Sequence, residues 1–286
     1  MTWIIYTLIA ATLISVAAIL AKLGSKKADP SLGAGLCILV VCVGAFILLN
    51  GNVKISGILS MGRNSTIFLI LDGLTTGAAL ICFFKAIHTG EVSNIAPVIK
   101  LNIIFIILFG VLYWHNRPGT NQIVAIVLCV AGIVVMLVGN NKGWQWCGYA
   151  LLSAVFLTAS SILESIGASS LGGASLRFYK LFIAAILIWV VAFATGSGRK
   201  LRAISFLDGI YNCLSGVAIV LNWICLDRAH ALKGGMEVEQ IYRIDLLILV
   251  ILASMILKEK ISGRKLIGAV IFIAGLEVLL LAKPIF

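Results

Sequence analysis

The chain has 286 residues, of which 61% are hydrophobic and only 12% are charged, and its mean hydropathy is +1.13. A soluble domain is typically about 45–50% apolar and about 25% charged, so this composition excludes a soluble enzyme, a disordered protein and a disulfide scaffold. A polytopic membrane protein remains. The net charge of +11 is typical of a membrane protein with basic cytoplasmic loops. No nucleic-acid partner is expected, because no basic stretch is interleaved with aromatic residues.

Ten apolar stretches follow one another along the chain, and we interpret each as a membrane-spanning helix. The first, which begins MTWIIYTLIA, lacks the basic region and cleavage site of a signal peptide and is interpreted as an uncleaved span. The predicted spans are residues 2–23, 31–49, 66–84, 93–113, 119–139, 144–166, 175–196, 207–226, 236–257 and 263–282. Seven cysteines lie within these stretches without a C-x-x-C spacing, so we expect neither a metal site nor a cofactor.

An internal repeat divides the chain into residues 1–143 and 144–286. A shift by half the length of the chain, which we call the half-chain shift, brings Lys100 onto Arg243 and Asn102 onto Asp245. The same shift also superposes Trp3 on Trp146, Tyr6 on Tyr149, Gly73 on Gly216, Cys82 on Cys225, Lys85 on Arg228 and Gly132 on Gly275. Because each half holds an odd number of spans, the second half enters the membrane from the opposite side. The sequence therefore predicts an all-α integral membrane protein with ten transmembrane helices as two inverted five-helix repeats, a recurring plan of secondary transporters.

Basic residues in alternate loops set the predicted orientation. The loops of one side hold Lys26, Lys27, Lys142, Arg199, Lys200, Arg202, Lys258, Lys260, Arg264 and Lys265. The loops of the other side hold Lys54, Arg63, Arg117, Lys233 and Lys283. The positive-inside rule places the richer side in the cytoplasm and both termini outside. We expect the membrane to be the inner (cell) membrane of a bacterium.

Corresponding motifs occur at equivalent points of the two halves. The second half contains a polar crossing, a span, the turn KEKIS (258–262), and then Gly268 and Gly275. These features lie in residues 229–281, which read AHALKGGMEVEQIYRIDLLILVILASMILKEKISGRKLIGAVIFIAGLEVLLL. In the first, KAIHTGEVSNIAPVIKLN (85–102) matches the polar crossing and keeps Pro97. This pattern resembles the EamA-like members of the drug/metabolite transporter superfamily.

The resemblance implies ten helices around a central cavity that opens alternately to each side of the membrane. It implies carriage of small metabolites such as amino acids, drugs, nucleotide sugars or organic phosphates. Two departures leave the substrate group open: His115 and Asn116 replace the acidic residue expected in the turn of the first repeat, and Gln240 replaces a proline in the ninth span.

The ninth predicted span is unusually polar, with Glu237, Glu239, Arg243 and Asp245 within nine residues. A charge at the centre of a spanning helix costs about 2.5–3.5 kcal/mol, so this part must lie within protein or line an aqueous cavity. On a helical wheel Glu239, Tyr242 and Arg243 share one face, and Glu239 and Arg243 are an i, i+4 pair. Either Arg243 and Tyr242 contact the substrate while Glu239 modulates them, or Glu239 and Arg243 form a structural ion pair.

Lys100 in the fourth span is the counterpart of Arg243. A two-fold relation between the halves places the two cations across one cavity, where they suit a phosphate or carboxylate. The resemblance implies the same, because basic residues of the fourth and ninth spans hold the anion in organic-phosphate members. The alternative is that Lys100 snorkels or pairs with Asp245 or Asp72. Further candidate substrate contacts at membrane depth are Asn102, Asp245 and Trp223.

Three acidic residues are candidates for proton coupling, because a carboxylate within the membrane is expensive unless it has a function. They are Asp72, Glu237 and Glu277. By contrast, Glu164 is expected near the surface, and Arg177 and Lys180 are expected to snorkel to the interface.

The function predicted is secondary active transport by alternating access. The substrate is a small polar metabolite, an amino acid-like zwitterion or an organic anion, moved by proton coupling or exchange. The alternative is a flippase for a lipid-linked substrate on the same fold, which needs an opening between helices to the lipid. An enzyme is not expected, because His88, His115 and His230 are scattered and neither H-E-x-x-H nor G-x-S-x-G occurs. The expected partners are the small-molecule substrate and membrane lipid, with the chain as a monomer or homodimer.

Overall fold

The computed structural model describes residues 1–26, 28–49, 63–113, 119–138, 144–167, 173–198, 204–260 and 262–280. These residues form helices and connecting turns, without a strand, as the composition predicts. In chain order the helices are α1 (Thr2–Gly24), α2 (Pro30–Leu48), α3 (Arg63–Thr89), α4 (Val92–Ile99), α5 (Asn102–Tyr113), α6 (Thr120–Leu137), α7 (Gln145–Gly167), α8 (Gly173–Ala194), α9 (Phe206–Leu232), α10 (Gly235–Tyr242), α11 (Asp245–Leu257) and α12 (Gly263–Leu280).

The described helices confirm the predicted all-α membrane architecture. Nine described segments are long and apolar enough to cross a membrane, and two of them, Val92–Tyr113 and Gly235–Leu257, are each built from two short helices. Helix α12 corresponds to the tenth predicted span and has 18 residues, of which three are charged. Helices α3 and α9 continue beyond the predicted span ends at 84 and 226, because helical hydrogen bonding does not stop where the apolar run does.

Some predictions concern residues outside the described part of the chain. These residues are Lys27, Lys54, His115, Asn116, Arg117, Lys142, Arg199, Lys200, Arg202, Ile261 and Lys283. The predicted boundary between the halves at residue 143 also lies there.

Two crossings are interrupted near their middle. In the first interruption Pro97 supplies no backbone N–H, and the N–H of Leu101 bonds the carbonyl three residues back at 3.1 Å, a tighter turn than the α-helix. In the second, Gln240 stands where the first has proline, and the N–H of Ile244 again bonds three residues back, at 3.2 Å. The interruption therefore does not depend on the proline.

A hydroxyl from the first helix of one half holds the interruption in the other half. The Ser15 hydroxyl of α1 donates to the Asp245 carbonyl at 2.9 Å, and the Thr158 hydroxyl of α7 donates to the Asn102 carbonyl at 3.2 Å. Ser15 and Thr158 are equivalent under the half-chain shift, as are Asn102 and Asp245. Because backbone carbonyls at membrane depth need donors, these bonds allow a non-helical turn there.

Close approaches of helices follow the same spacing. A Cβ on Gly73 of α3 would lie 3.0 Å from the Lys180 carbonyl of α8. A Cβ on Gly216 of α9 would lie 2.7 Å from the Cys37 carbonyl of α2. These are equivalent positions under the half-chain shift.

Helices α6 and α12 cross at a third close approach. A Cβ on Gly132 would lie 2.6 Å from the Phe272 nitrogen, and one on Gly268 would lie 2.6 Å from the Gly132 carbonyl oxygen. Small residues at such a crossing allow the two backbones to pack directly.

Candidate functional site

A central cavity lies among α1, α2, α3, α4, α7, α8, α9 and α11 and consists of two adjacent chambers of about 220 and 210 Å³. Residues in the walls of both chambers are Cys37, Leu80, Phe83, Ile99 and Ile219. Lys100 and Asp245 lie in the wall of the first chamber, and Thr76 and Trp223 in that of the second. Most of the remaining wall is aliphatic or aromatic, so a ligand in this cavity meets a few polar groups on an apolar surface.

The two helix interruptions bring Lys100 and Asp245 together. The Lys100 ammonium donates to both carboxylate oxygens of Asp245, each at 2.8 Å. Lys100 directly follows the last residue of α4 and Asp245 is the first residue of α11, so each charge lies at the helix end that favours it. Their side chains are 25% and 12% exposed, which leaves the pair accessible from the chamber.

Arg243 forms its hydrogen bond with a different helix from this pair. Its Nη1 donates to the Leu276 carbonyl of α12 at 3.1 Å, and its Nε is buried without a hydrogen-bond partner among the described residues. Arg243 is not among the residues that line the two described chambers, whereas Lys100 is. The electrostatic neighbours of Arg243 include Glu239, Glu277 and Asp245, so Glu277 lies near the Arg243 guanidinium.

Two acidic residues of α10 pair with residues of the preceding helix and turn. Glu239 Oε1 lies 3.6 Å from His230 Nε2, and Glu239 is also an electrostatic neighbour of Arg243. Glu237 lies 3.3 Å from Lys233, and both side chains are 45% exposed. Neither carboxylate belongs to the chamber walls described above.

Tyr242, Trp223 and Asn102 differ in what they contact. The Tyr242 hydroxyl accepts a hydrogen bond from Asn222 at 3.1 Å, and Asn222 also donates to the Ala10 carbonyl at 2.8 Å, so this tyrosine connects α10 to α9 and α1. Trp223 lines the second chamber, and the Arg177 guanidinium lies 5.1 Å from its ring centre. Asn102 contributes its backbone carbonyl to the Thr158 bond described above.

Three comparisons with known proteins bear on this architecture. Residues 1–138 match the EamA-like transporter family. A curated relative from Sinorhizobium sp, "Uncharacterized transporter in cobO 3'region", is 26% identical over 139 residues, which are 48% of this chain and 97% of the relative. The relative as a whole thus corresponds to about half of this chain. A solved crystal structure aligns with 96% of this chain and 96% of its own, with a TM-score of 0.61 at 16% identity, and shows the fold alone.

The family match confirms the resemblance inferred from the motifs, over the first half of the chain. The family and the curated relative both point to membrane transport as the function class. Among the described residues, no group of three or more His, Cys, Asp or Glu side chains is placed to hold a metal ion.

Glu259, which follows α11 in the second half, contacts the polar crossing of the first. Glu259 accepts hydrogen bonds from the Val92 N–H at 2.8 Å, the Ser93 N–H at 3.1 Å and the Ser93 hydroxyl at 2.6 Å, and so caps the N-terminus of α4. Lys265 adds an ion pair with Glu91 at 2.8 Å and a bond to the Ser93 hydroxyl at 3.1 Å. We call these contacts the Glu259 latch. The sequence pattern indicates the turn but not the contact of Glu259 with Val92, which lies 167 residues away.

The N-terminus of α10, the counterpart of the N-terminus of α4 in the other half, is more exposed. At the N-terminus of α4, Val92 and Ser93 are 1% and 2% exposed. At the N-terminus of α10, Met236 is 56% exposed, and the neighbouring Leu232 is 54% exposed. The position equivalent to Glu259 is Asn116, which lies outside the described residues. Among the described residues, the N-terminus of α4 is therefore more buried than that of α10.

A second charged cluster, which we call the Asp72 cluster, joins α3, α7 and α8. Asp72 is 1% exposed, lies 3.3 Å from the Lys180 ammonium and accepts a hydrogen bond from the Ser160 hydroxyl at 2.5 Å. Lys180 also pairs with Glu164 at 2.6 Å, and Thr76 bonds the Ser160 hydroxyl at 2.9 Å. The expectation that Lys180 merely snorkels is wrong, because its ammonium joins two carboxylates. The one indication of this contact in the sequence is that Asp72 and Lys180 lie at a similar depth within their predicted spans.

A cleft of about 450 Å³ lies between α2 and α8 on the outer, apolar side of the helices. Its lining is Leu39, Cys42, Val43, Phe46, Phe178, Phe182, Ala185, Ile186 and Trp189. Other residues of α2 and α8, among them Ile38 and Leu181, line the second chamber. The same two helices thus separate the cleft from the cavity.

Proposed function

We propose that this EamA-like chain is a secondary transporter for a small zwitterion with an apolar body, such as an aromatic or branched amino acid. The observation that carries the proposal is the Lys100–Asp245 pair on the wall of an otherwise apolar chamber of about 220 Å³. The substrate carboxylate binds Lys100, its ammonium binds Asp245, and its body lies against Phe83 and Phe84 of the chamber wall. Transport is driven by proton coupling or by exchange.

The charges of the pair distinguish between substrate classes. A zwitterion replaces one internal ion pair with two external ones and leaves no charge unpaired. A simple anion on Lys100 displaces Asp245 and leaves its carboxylate without a partner, whereas a simple cation does the same to Lys100. An unpaired buried charge costs several kcal/mol, so both are disfavoured relative to a zwitterion.

Alternating access is supported by the difference between the two ends of the cavity. The Glu259 latch closes the end that the positive-inside rule assigns to the cytoplasm, and the exposed N-terminus of α10 lies at the other end. A carrier must also reach the reverse arrangement. Release to the latched side therefore requires Glu259 to leave the N-terminus of α4.

The membrane setting is part of the same proposal. Both termini face outward in the inner membrane of a bacterium, and the Sinorhizobium relative supports a bacterial setting. Lipid covers the apolar outer surface, and the functional unit is a monomer or homodimer that binds no nucleic acid.

Thermal unfolding of the detergent-purified protein with a matched ligand set tests the proposal. The set is L-phenylalanine, phenylpropionate, which lacks the ammonium, and phenethylamine, which lacks the carboxylate. A ligand at 100 times its dissociation constant stabilises by about 2.7 kcal/mol. We expect stabilisation by L-phenylalanine alone, and its loss in Lys100→Met and Asp245→Asn but not in the control Glu237→Gln. Equal stabilisation by phenylpropionate, or a shift that survives both substitutions, would contradict the assignment.

A second candidate is a flippase for a lipid-linked substrate, and the α2–α8 cleft is the observation that favours it. Leu39, Val43, Phe46, Phe182 and Ile186 of this cleft are 43–58% exposed. Translocation of a fluorescent lipid head group in proteoliposomes, together with no stabilisation by L-phenylalanine, would support this candidate instead.

A further inference from the structure

The Asp72 cluster is an ionic site that the substrate pair does not use. Its three ionisable members are Asp72, Lys180 and Glu164, so with both carboxylates ionised it carries one uncompensated negative charge. Asp72 Oδ2 is buried and has no hydrogen-bond partner among the described residues. A buried, unpaired carboxylate oxygen next to a second carboxylate favours uptake of one proton.

The groups that contact Asp72 from other helices belong to α7 and α8. Helix α7 supplies Glu164 and Ser160, and α8 supplies Lys180, while Tyr179 of α8 packs against Leu69 nearby. Helix α2 contains no charged side chain. One ammonium is thus the only described cation within reach of the two carboxylates.

The other half of the chain shows that this helix crossing does not need charge. Under the half-chain shift, Asp72 corresponds to Ser215, Lys180 to Cys37 and Ser160 to Ala17. There the Ser215 hydroxyl donates to the Ala17 carbonyl at 2.8 Å and lies 3.9 Å from the Cys37 sulfur. Neutral groups therefore hold the equivalent crossing, so packing alone does not explain why ions lie at membrane depth in the first half.

The cluster reaches from the cavity to the exterior of the helices. Thr76 lines the second chamber, bonds the Ser160 hydroxyl at 2.9 Å and lies 3.4 Å from Asp72 Oδ1. At the other end the Glu164 side chain is 46% exposed, near the C-terminus of α7. A change at Asp72 is therefore transmitted to the chamber wall, and its site lies close to a solvent-accessible carboxylate.

We propose that Asp72 is the proton-coupling site of this transporter, with Thr76 and Ser160 linking it to the chamber and Lys180 and Glu164 linking it to solvent. Binding adds one proton to the Asp72 carboxylate and removes the uncompensated charge. Lys180 then pairs with Glu164 alone, and the Ser160 and Thr76 hydroxyls reorient at the cavity. This assignment rests on the proposed transport function, but proton binding itself is measurable without a substrate.

The first test is infrared difference spectroscopy of the purified protein between alkaline and acidic buffer. We expect a band of a newly protonated carboxyl group that is absent in Asp72→Asn and retained in Asp227→Asn, which alters an exposed acid paired with Arg177. The double variant Asp72→Ser/Lys180→Cys copies the neutral crossing of the other half, so it keeps the test informative if Asp72→Asn fails to fold. A band that persists in Asp72→Asn, or in the double variant, would overturn the proposal.

The second test uses radiolabelled L-phenylalanine in proteoliposomes. We expect Asp72→Asn to lose accumulation driven by a pH gradient while it keeps exchange of internal for external substrate. Accumulation that persists in the folded variant would overturn the coupling assignment. Failure of the unaltered protein to move L-phenylalanine would instead count against the proposed substrate, and the infrared band would still decide whether Asp72 binds the proton.

Discussion

Substitution Glu259→Gln should open the latched end of the cavity. The carboxylate accepts three hydrogen bonds, two from backbone N–H groups at the N-terminus of α4 and one from the Ser93 hydroxyl. Glutamine keeps one acceptor oxygen but loses the second oxygen and the charge. A hydrogen bond to a charged group contributes about 1.5–3 kcal/mol and an N-cap about 0.5–2 kcal/mol. Because Glu259 is only partly buried, we take about 2 kcal/mol, which is roughly a 30-fold shift towards the unlatched state.

Cys37 provides a native reporter for this shift. It lines both chambers, its residue is 1% exposed, and all seven cysteines are free. In a variant that keeps Cys37 alone, a membrane-impermeant maleimide added from the Glu259 side should react up to about 30-fold faster after Glu259→Gln. The control Glu237→Gln, at an exposed pair near the opposite end, should leave this rate unchanged. An unchanged or slower rate in Glu259→Gln would refute the reasoning.

Two stability predictions follow from the packing and the ion pair. Lys100→Met should lower the free energy of unfolding by about 2 kcal/mol. This is less than the roughly 3–5 kcal/mol of a fully buried pair, because the lysine is 25% exposed, and the double variant Lys100→Met/Asp245→Leu should recover most of the loss. Equal losses in the single and double variants, measured by unfolding in detergent, would contradict this. Gly132→Ala should lower the free energy of unfolding by about 1–3 kcal/mol, because the added Cβ meets backbone atoms of α12. The control Gly148→Ala should not lower it, because a Cβ there meets nothing within 4 Å. Similar unfolding temperatures for both variants would exclude a tight α6–α12 crossing.

The architecture was predictable because its signals lie within one stretch of sequence. The length of the apolar runs indicates the crossings, and the half-chain shift alone relates Lys100 to Arg243. The helix interruptions were not predicted, because the hydroxyls that make them possible, Ser15 and Thr158, lie on other helices far along the chain.

The site was predictable in its residues more than in its pairing. From the sequence, Lys100 could bind an anion, snorkel to the interface, or pair with Asp245 or Asp72. Only the fold places Asp245 within 2.8 Å of it. The helical wheel places Glu239 and Arg243 on one face near the end of α10, and Glu239 is an electrostatic neighbour of Arg243. At that end Arg243 bonds the Leu276 carbonyl and Glu239 pairs with His230. Periodicity describes one helix and does not specify which neighbour supplies a partner.

Exchange of radiolabelled L-phenylalanine across proteoliposomes tests the central claim most directly. The claim is that a zwitterion binds across Lys100 and Asp245 and is carried through the membrane. It predicts saturable exchange by the unaltered protein, its loss in Lys100→Met and in Asp245→Asn, and its retention in Glu237→Gln. Undiminished exchange in both folded pair variants would contradict the claim, because the substrate would then cross without the charges that are proposed to hold it.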